Sequence, residues 1–112
     1  MEQGDREMLQ SDKFNMPSAK LEAFLLKPGA KHSQEFFDVG YSPNDVERLN
    51  RDIGEHFDEA LKVDVLRTAD GIERFSIFMD LGVREKKRFR TVWQRDTAES
   101  KPRFITAHRE GN

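Results

Sequence analysis

The hydrophobic positions change their period once along the chain, near Ala60, and the two halves predict different structure. Upstream, apolar residues recur at helical spacing. In "MPSAKLEAFLLKPG", Pro17 suits an early helical position, Leu21, Phe24 and Leu25 form a stripe, and Pro28 and Gly29 stop the helix. "HSQEFFDVGY" predicts a second, short helix, with Ser33 as its cap and Gly40 as a left-handed terminator. "SPNDVERLNRDIGEHFDEA" is the clearest helix: Ser42 caps it, Pro43 fits the first turn, and Asp45 stands where a capping box places its acid. Its stripe is Val46, Leu49, Ile53 and Phe57, and Gly54 within it costs about 1 kcal/mol relative to alanine. Residues 1–15 show no period and are expected to form a mobile arm, leaving residues 16–110 as one domain.

Downstream, alternation takes over. Leu61, Val63 and Val65 share one side, "ADG" signals a turn, and Phe75, Ile77, Met79 and Leu81 share the next inward side. After "GVREKK", Phe89, Thr91 and Trp93 lie together, with Arg88, Arg90, Val92 and Gln94 opposite. The last strand offers Ile105 and Ala107 on one side and Phe104, Thr106 and His108 on the other. Helices first and strands afterwards predict an α+β domain, with the N-terminal helices packed on a three- or four-stranded antiparallel meander sheet.

Charge adds an asymmetry to this picture. Through Val83 there are 10 Lys and Arg against 17 Asp and Glu, a balance of −7; from Arg84 onward there are 9 against 4, a balance of +5. A basic segment on an acidic domain steers anionic partners such as nucleic acid or an acidic protein, or it simply keeps strand surfaces soluble. With 36% charged and 36% apolar residues the core is lean, and nine phenylalanines and one tryptophan compensate. The chain has no apolar run of the roughly 20 residues a membrane span needs, and its polar, acidic start does not read as a secretory signal. A cytoplasmic site of action and no membrane partner are expected. Without cysteine there is no disulfide, thiol nucleophile or cysteine-ligated zinc.

Candidate chemistry narrows accordingly. His32, His56 and His108 are not at metal-ligand spacing, and neither a phosphate-binding glycine loop nor a G-x-S-x-G elbow occurs, so no metal and no cofactor are expected. What remains is metal-free acid–base chemistry on a polyanion. Cleaving RNA needs a base for the 2′-hydroxyl, an acid for the leaving oxygen, and cations against the phosphoryl oxygens. His32 and His108 suit proton transfer, Arg90 and Arg103 suit phosphate, and Thr106 can assist as a hydroxyl donor. Lys31, Thr91 and Arg88 are candidate substrate contacts. Each has a plainer reading, as strand-forming threonine, solubilising arginine or surface histidine.

Two segments also carry a resemblance. "KLEAFLLKPGAKHSQEFFDVGYSPNDVERLNRDI" and "FRTVWQRDTAESKPRFITAHRE" resemble the opening and closing parts of an uncharacterised bacterial and phage-associated domain family. The shared positions are the double leucine, the aromatic pair before a Gly-aromatic step, Thr91 and Trp93, and then Pro102, Arg103, Thr106 and Ala107. Members of that family look like C-terminal modules of polymorphic toxins and phage head-associated proteins. The helix-then-meander order is similar to the barnase–EndoU–colicin–RelE group. The resemblance implies a toxin-type, metal-independent ribonuclease with RNA as partner. The alternative is a non-catalytic interaction or phage-assembly module of the same fold, with an immunity or assembly protein as partner. The acidic helices favour an immunity-protein role as a third reading.

Overall fold

The computed structural model describes residues 8–10, 13–17 and 26–110. Its elements are β1 (Met8–Gln10), β2 (Asn15–Pro17), α1 (Ser33–Asp38), α2 (Val46–His56), a 3-10 turn (Glu59–Leu61), β3 (Val63–Arg67), β4 (Glu73–Leu81), β5 (Lys87–Arg95) and β6 (Arg103–Arg109). One six-stranded sheet runs in the order β1-β2-β6-β5-β4-β3. Its pairs are antiparallel except β2 with β6, which is parallel and registered only at Asn15 with Arg103.

The α+β character holds, but the expected layout does not. The sheet is mixed rather than an antiparallel meander, it begins before the helices, and the described residues hold two α-helices, one of them mid-chain. β1 and β2 are three residues each, too short for a period of two to show, so the stretch read as an arm gave no strand signal. Phe14 of that stretch and Met16 just after it are fully buried. Pro17, expected to open the first helix, instead ends β2, and the rest of that predicted helix (18–25) lies outside the described residues.

α1 is six residues long and would not stand alone, so its ends are tied down. Ser33 is its first helical residue rather than its cap; it is buried, and its hydroxyl donates to Ala30 O at 3.0 Å. At the other end Gly40 has φ +110, and a Cβ there would sit 2.8 Å from Arg84 N. That close approach lets the Val83 and Arg84 amides both donate to Val39 O. α2 starts at Val46 with Asp45 as its cap position, and the Asp45 carboxylate accepts from Ser42 N at 2.8 Å. Leu49, Ile53 and Phe57 of the anticipated stripe are buried; Val46 packs at the margin.

The inner sheet face and both helices share one core. At its centre Trp93 meets Phe57, Phe14 and Phe104 with ring centroids at 4.6, 4.8 and 5.3 Å, and Phe36 of α1 stacks on Phe89 at 4.5 Å. Two bulges overturn local alternation. Val92 pairs with Thr106 but Trp93 with Phe104, which leaves Ile105 as an extra residue and turns Phe104 inward beside Ala107. In β3 the register slips between Val63 and Leu66 around Asp64, whose φ is +54. Every residue of β3, an edge strand of the sheet, is exposed, including Val63, Val65 and Leu66, and Leu61 before it is exposed too.

Candidate functional site

β4, β5 and β6 carry a second, solvent-facing side made of the residues that alternate with the core. Directly paired residues share a face, so register alone arranges this side in rows. Phe78 pairs with Arg90 and Arg90 with His108; Ser76 pairs with Val92 and Val92 with Thr106; Arg74 pairs with Gln94 and Gln94 with Arg103. Apart from Ser76, these side chains are partly or fully exposed.

His32, the residue preceding α1, joins the first row from beyond the β6 edge. Its ring centroid lies 5.4 Å from that of His108, with the planes 32° apart. Glu35, one turn into α1, has its Oε1 3.3 Å from His32 Nδ1. The same oxygen accepts the Arg109 backbone N–H at 2.8 Å. Because β2 pairs with β6 only at its start, that N–H sits on an edge with no described strand beside it, and the Glu35 carboxylate takes the place of a neighbouring carbonyl. One carboxylate thus ties α1 to β6 and lies beside the His32 ring. His108 Nδ1 lies 3.3 Å from Arg109 O.

Arg90 lies between this pair and Phe78. Its guanidinium stacks on the Phe78 ring at 4.6 Å and donates to Asp64 Oδ2 at 2.8 Å and to Ser76 Oγ at 3.0 Å, with Glu110 Oε1 at 3.6 Å. The Asp64 hydrogen bond foremost, with the Asp64 and Glu110 charges, outweighs desolvation and raises the Arg90 pKa, so it stays a cation. Arg88 is exposed and lies over the same ring at 5.4 Å. Thr106 is one row away, and Lys31 is exposed in the turn before His32.

Two expected residues do not join. Arg103 shares the face but lies four β5 positions from the Arg90 row, about 14 Å at roughly 3.4 Å per residue. Its Nε donates to Asp96 at 3.0 Å, and the Asp96 carboxyl is held below its usual range, chiefly by that bond. Thr91 is fully buried: its hydroxyl donates to Ile77 O at 2.7 Å and accepts from Trp93 Nε1 at 2.8 Å. It braces the core, and its full burial leaves it no surface to offer a substrate.

Sequence reasoning missed Glu35, Asp64 and Phe78. Glu35 stands three residues after His32, a spacing that signals one helix face, and Phe78 is the one phenyl ring on the polar side of its strand. It also missed an ion network at the far end of the inner face, where buried Glu73 meets the more exposed Lys62, Arg67 and Arg95, and Arg95 also meets Glu59. A cleft of about 900 Å³ opens there, lined by Lys13, His56, Phe57, Arg95 and Lys101 among others, and none of the expected site residues lines it. The described residues contain no group of three or more metal-ligating side chains and no helix long and apolar enough to cross a membrane.

The chain matches no protein-family model, no curated protein and no solved structure.

Proposed function

We propose that this chain is a toxin-type, metal-independent ribonuclease acting at His32 and His108. The observation that carries the reading is the meeting of two histidines from distant parts of the chain, with Arg90 in register beside them and a carboxylate beside one ring. His32, with the Glu35 carboxylate 3.3 Å from its Nδ1, takes the 2′-hydroxyl proton as general base. The 2′-oxygen bonds to phosphorus, the P–O5′ bond breaks, and protonated His108 delivers its proton to the departing 5′-oxygen. The products are a 2′,3′-cyclic phosphate and a 5′-hydroxyl. Arg90 faces the phosphoryl oxygens, Thr106 and Lys31 flank the site, and Glu35 is a positioning residue that acts through His32.

Total RNA incubated with the purified chain and a chelator tests this. The reading expects cleavage that falls by at least about a hundredfold in His32→Ala and in His108→Ala, the lower bound for loss of a general acid or base. Intact RNA with folded wild-type protein overturns it. A second reading, a non-catalytic interaction module, is favoured by the open β3 edge with exposed Leu61, Val63, Val65 and Leu66, a place where a partner strand can add.

A further inference from the structure

The transverse row Phe78–Arg90–His108 spans two strand spacings, about 10 Å, and ends against His32. It therefore leads from the histidine pair along the sheet face to a phenyl ring that lies among polar positions. Two guanidiniums, those of Arg88 and Arg90, lie over that ring. Planar guanidiniums on an aromatic ring extend the π surface and bring positive charge to it, a combination that receives an unstacked nucleobase and the phosphate beside it.

We propose that this row is a single-stranded RNA subsite: one base stacks on the surface formed by Phe78 and Arg88, and the adjoining phosphate binds Arg90 in exchange for Asp64. This deepens the ribonuclease reading and rests on it for the identity of the polyanion. A duplex does not fit the role, because its bases stay stacked on one another and offer no free face to a protein ring. Asp64 is the resident anion. It holds an uncommon positive φ for a non-glycine residue and sets its carboxylate 2.8 Å from Arg90 Nη1. Its side chain is 62% exposed, and an ion pair that open to water is held weakly enough for a phosphate to displace it. Glu110, 39% exposed at 3.6 Å, is the second competitor. Substrate entry on this face is thus an anion exchange, and the carboxylates set its threshold.

Fluorescence anisotropy on the full chain, with a labelled single-stranded oligonucleotide made uncleavable by 2′-O-methyl groups, tests the subsite. Phe78→Ala is expected to weaken binding about tenfold, the effect of one lost base–aromatic stack. Asp64→Asn is expected to tighten it about threefold, a gain that misfolding cannot produce. Absence of binding, or binding indifferent to both substitutions, overturns the proposal, as does duplex RNA competing as well as single strands. The two readings fail separately. Binding that responds to Phe78 and Asp64 without any cleavage of the all-RNA oligonucleotide keeps the subsite and removes the nuclease. Cleavage lost in His108→Ala, with binding blind to Phe78→Ala and Asp64→Asn, does the reverse.

Discussion

Glu73→Gln is the substitution whose consequence the structure specifies most fully. Glu73 begins β4 on the inward side, and its side chain is only 8% exposed. It accepts from Lys62 Nζ at 3.0 Å, Arg67 Nη2 at 2.9 Å and Arg95 Nη1 at 2.8 Å. Burial alone would raise its pKa, but the hydrogen bonds from Lys62 and Arg95 and the Lys62 and Arg67 charges win, and the carboxyl is held below its usual range. Glutamine keeps the shape and loses the charge. Stranding a fully buried charge costs about 3–5 kcal/mol, whereas losing an exposed pair costs about 0–1 kcal/mol. Here Arg95 retains Glu59 and the Ser100 carbonyl, and Arg67 is 68% exposed and can hydrate. The cost at pH 7 therefore falls between, at about 2 kcal/mol, which lowers Tm by about 10 °C in a domain of this size. The sign with pH follows from the depressed pKa. Stability from Glu73 is fully present above its ordinary value of 4.5 and is lost as pH falls through the folded-state value below it, so wild type and variant converge in acid. Urea unfolding at pH 7 and at successively lower pH measures both effects, with Arg67→Ala, expected to cost under about 1 kcal/mol, as control. A difference under about 0.5 kcal/mol at pH 7, or one that does not shrink in acid, would refute the reasoning.

Other substitutions separate packing from chemistry. Thr91→Val removes the acceptor of the buried Trp93 indole N–H and should cost about 1–3 kcal/mol in urea unfolding, while RNA cleavage by the folded fraction stays unchanged. Gly54→Ala should add up to about 1 kcal/mol, because a Cβ there meets Phe14 at 3.7 Å, ordinary contact, and alanine favours the helix; a loss of Tm would contradict this.

The sequence made the inner face legible where alternation ran long. Phe75, Ile77, Met79 and Leu81, and then Phe89 and Trp93, point inward as their period requires. That same period already grouped Thr91 with Phe89 and Trp93, so its burial was implied, and its reading as a substrate contact put residue chemistry ahead of position. Phe104 was misplaced because one unpaired residue, Ile105, reverses parity, and no local composition marks such a bulge. β1 and β2 were unreadable because a three-residue strand held by backbone pairing needs no hydrophobic pattern. At the candidate site, the residue types of His32, His108 and Arg90 were visible, but their proximity depends on α1 closing the β6 edge through Glu35. That is a long-range contact with no signature along the chain.

The end groups of a cut are the most direct test of chemistry at the histidine pair. A defined single-stranded oligonucleotide with one ribonucleotide among 2′-O-methyl residues, incubated with the chain in excess chelator, should yield a 2′,3′-cyclic phosphate and a 5′-hydroxyl at that ribonucleotide. With His108→Ala both products should form at least about a hundredfold more slowly. An uncut oligonucleotide with folded wild-type protein, or equal cutting by His32→Ala, His108→Ala and wild type, would contradict it.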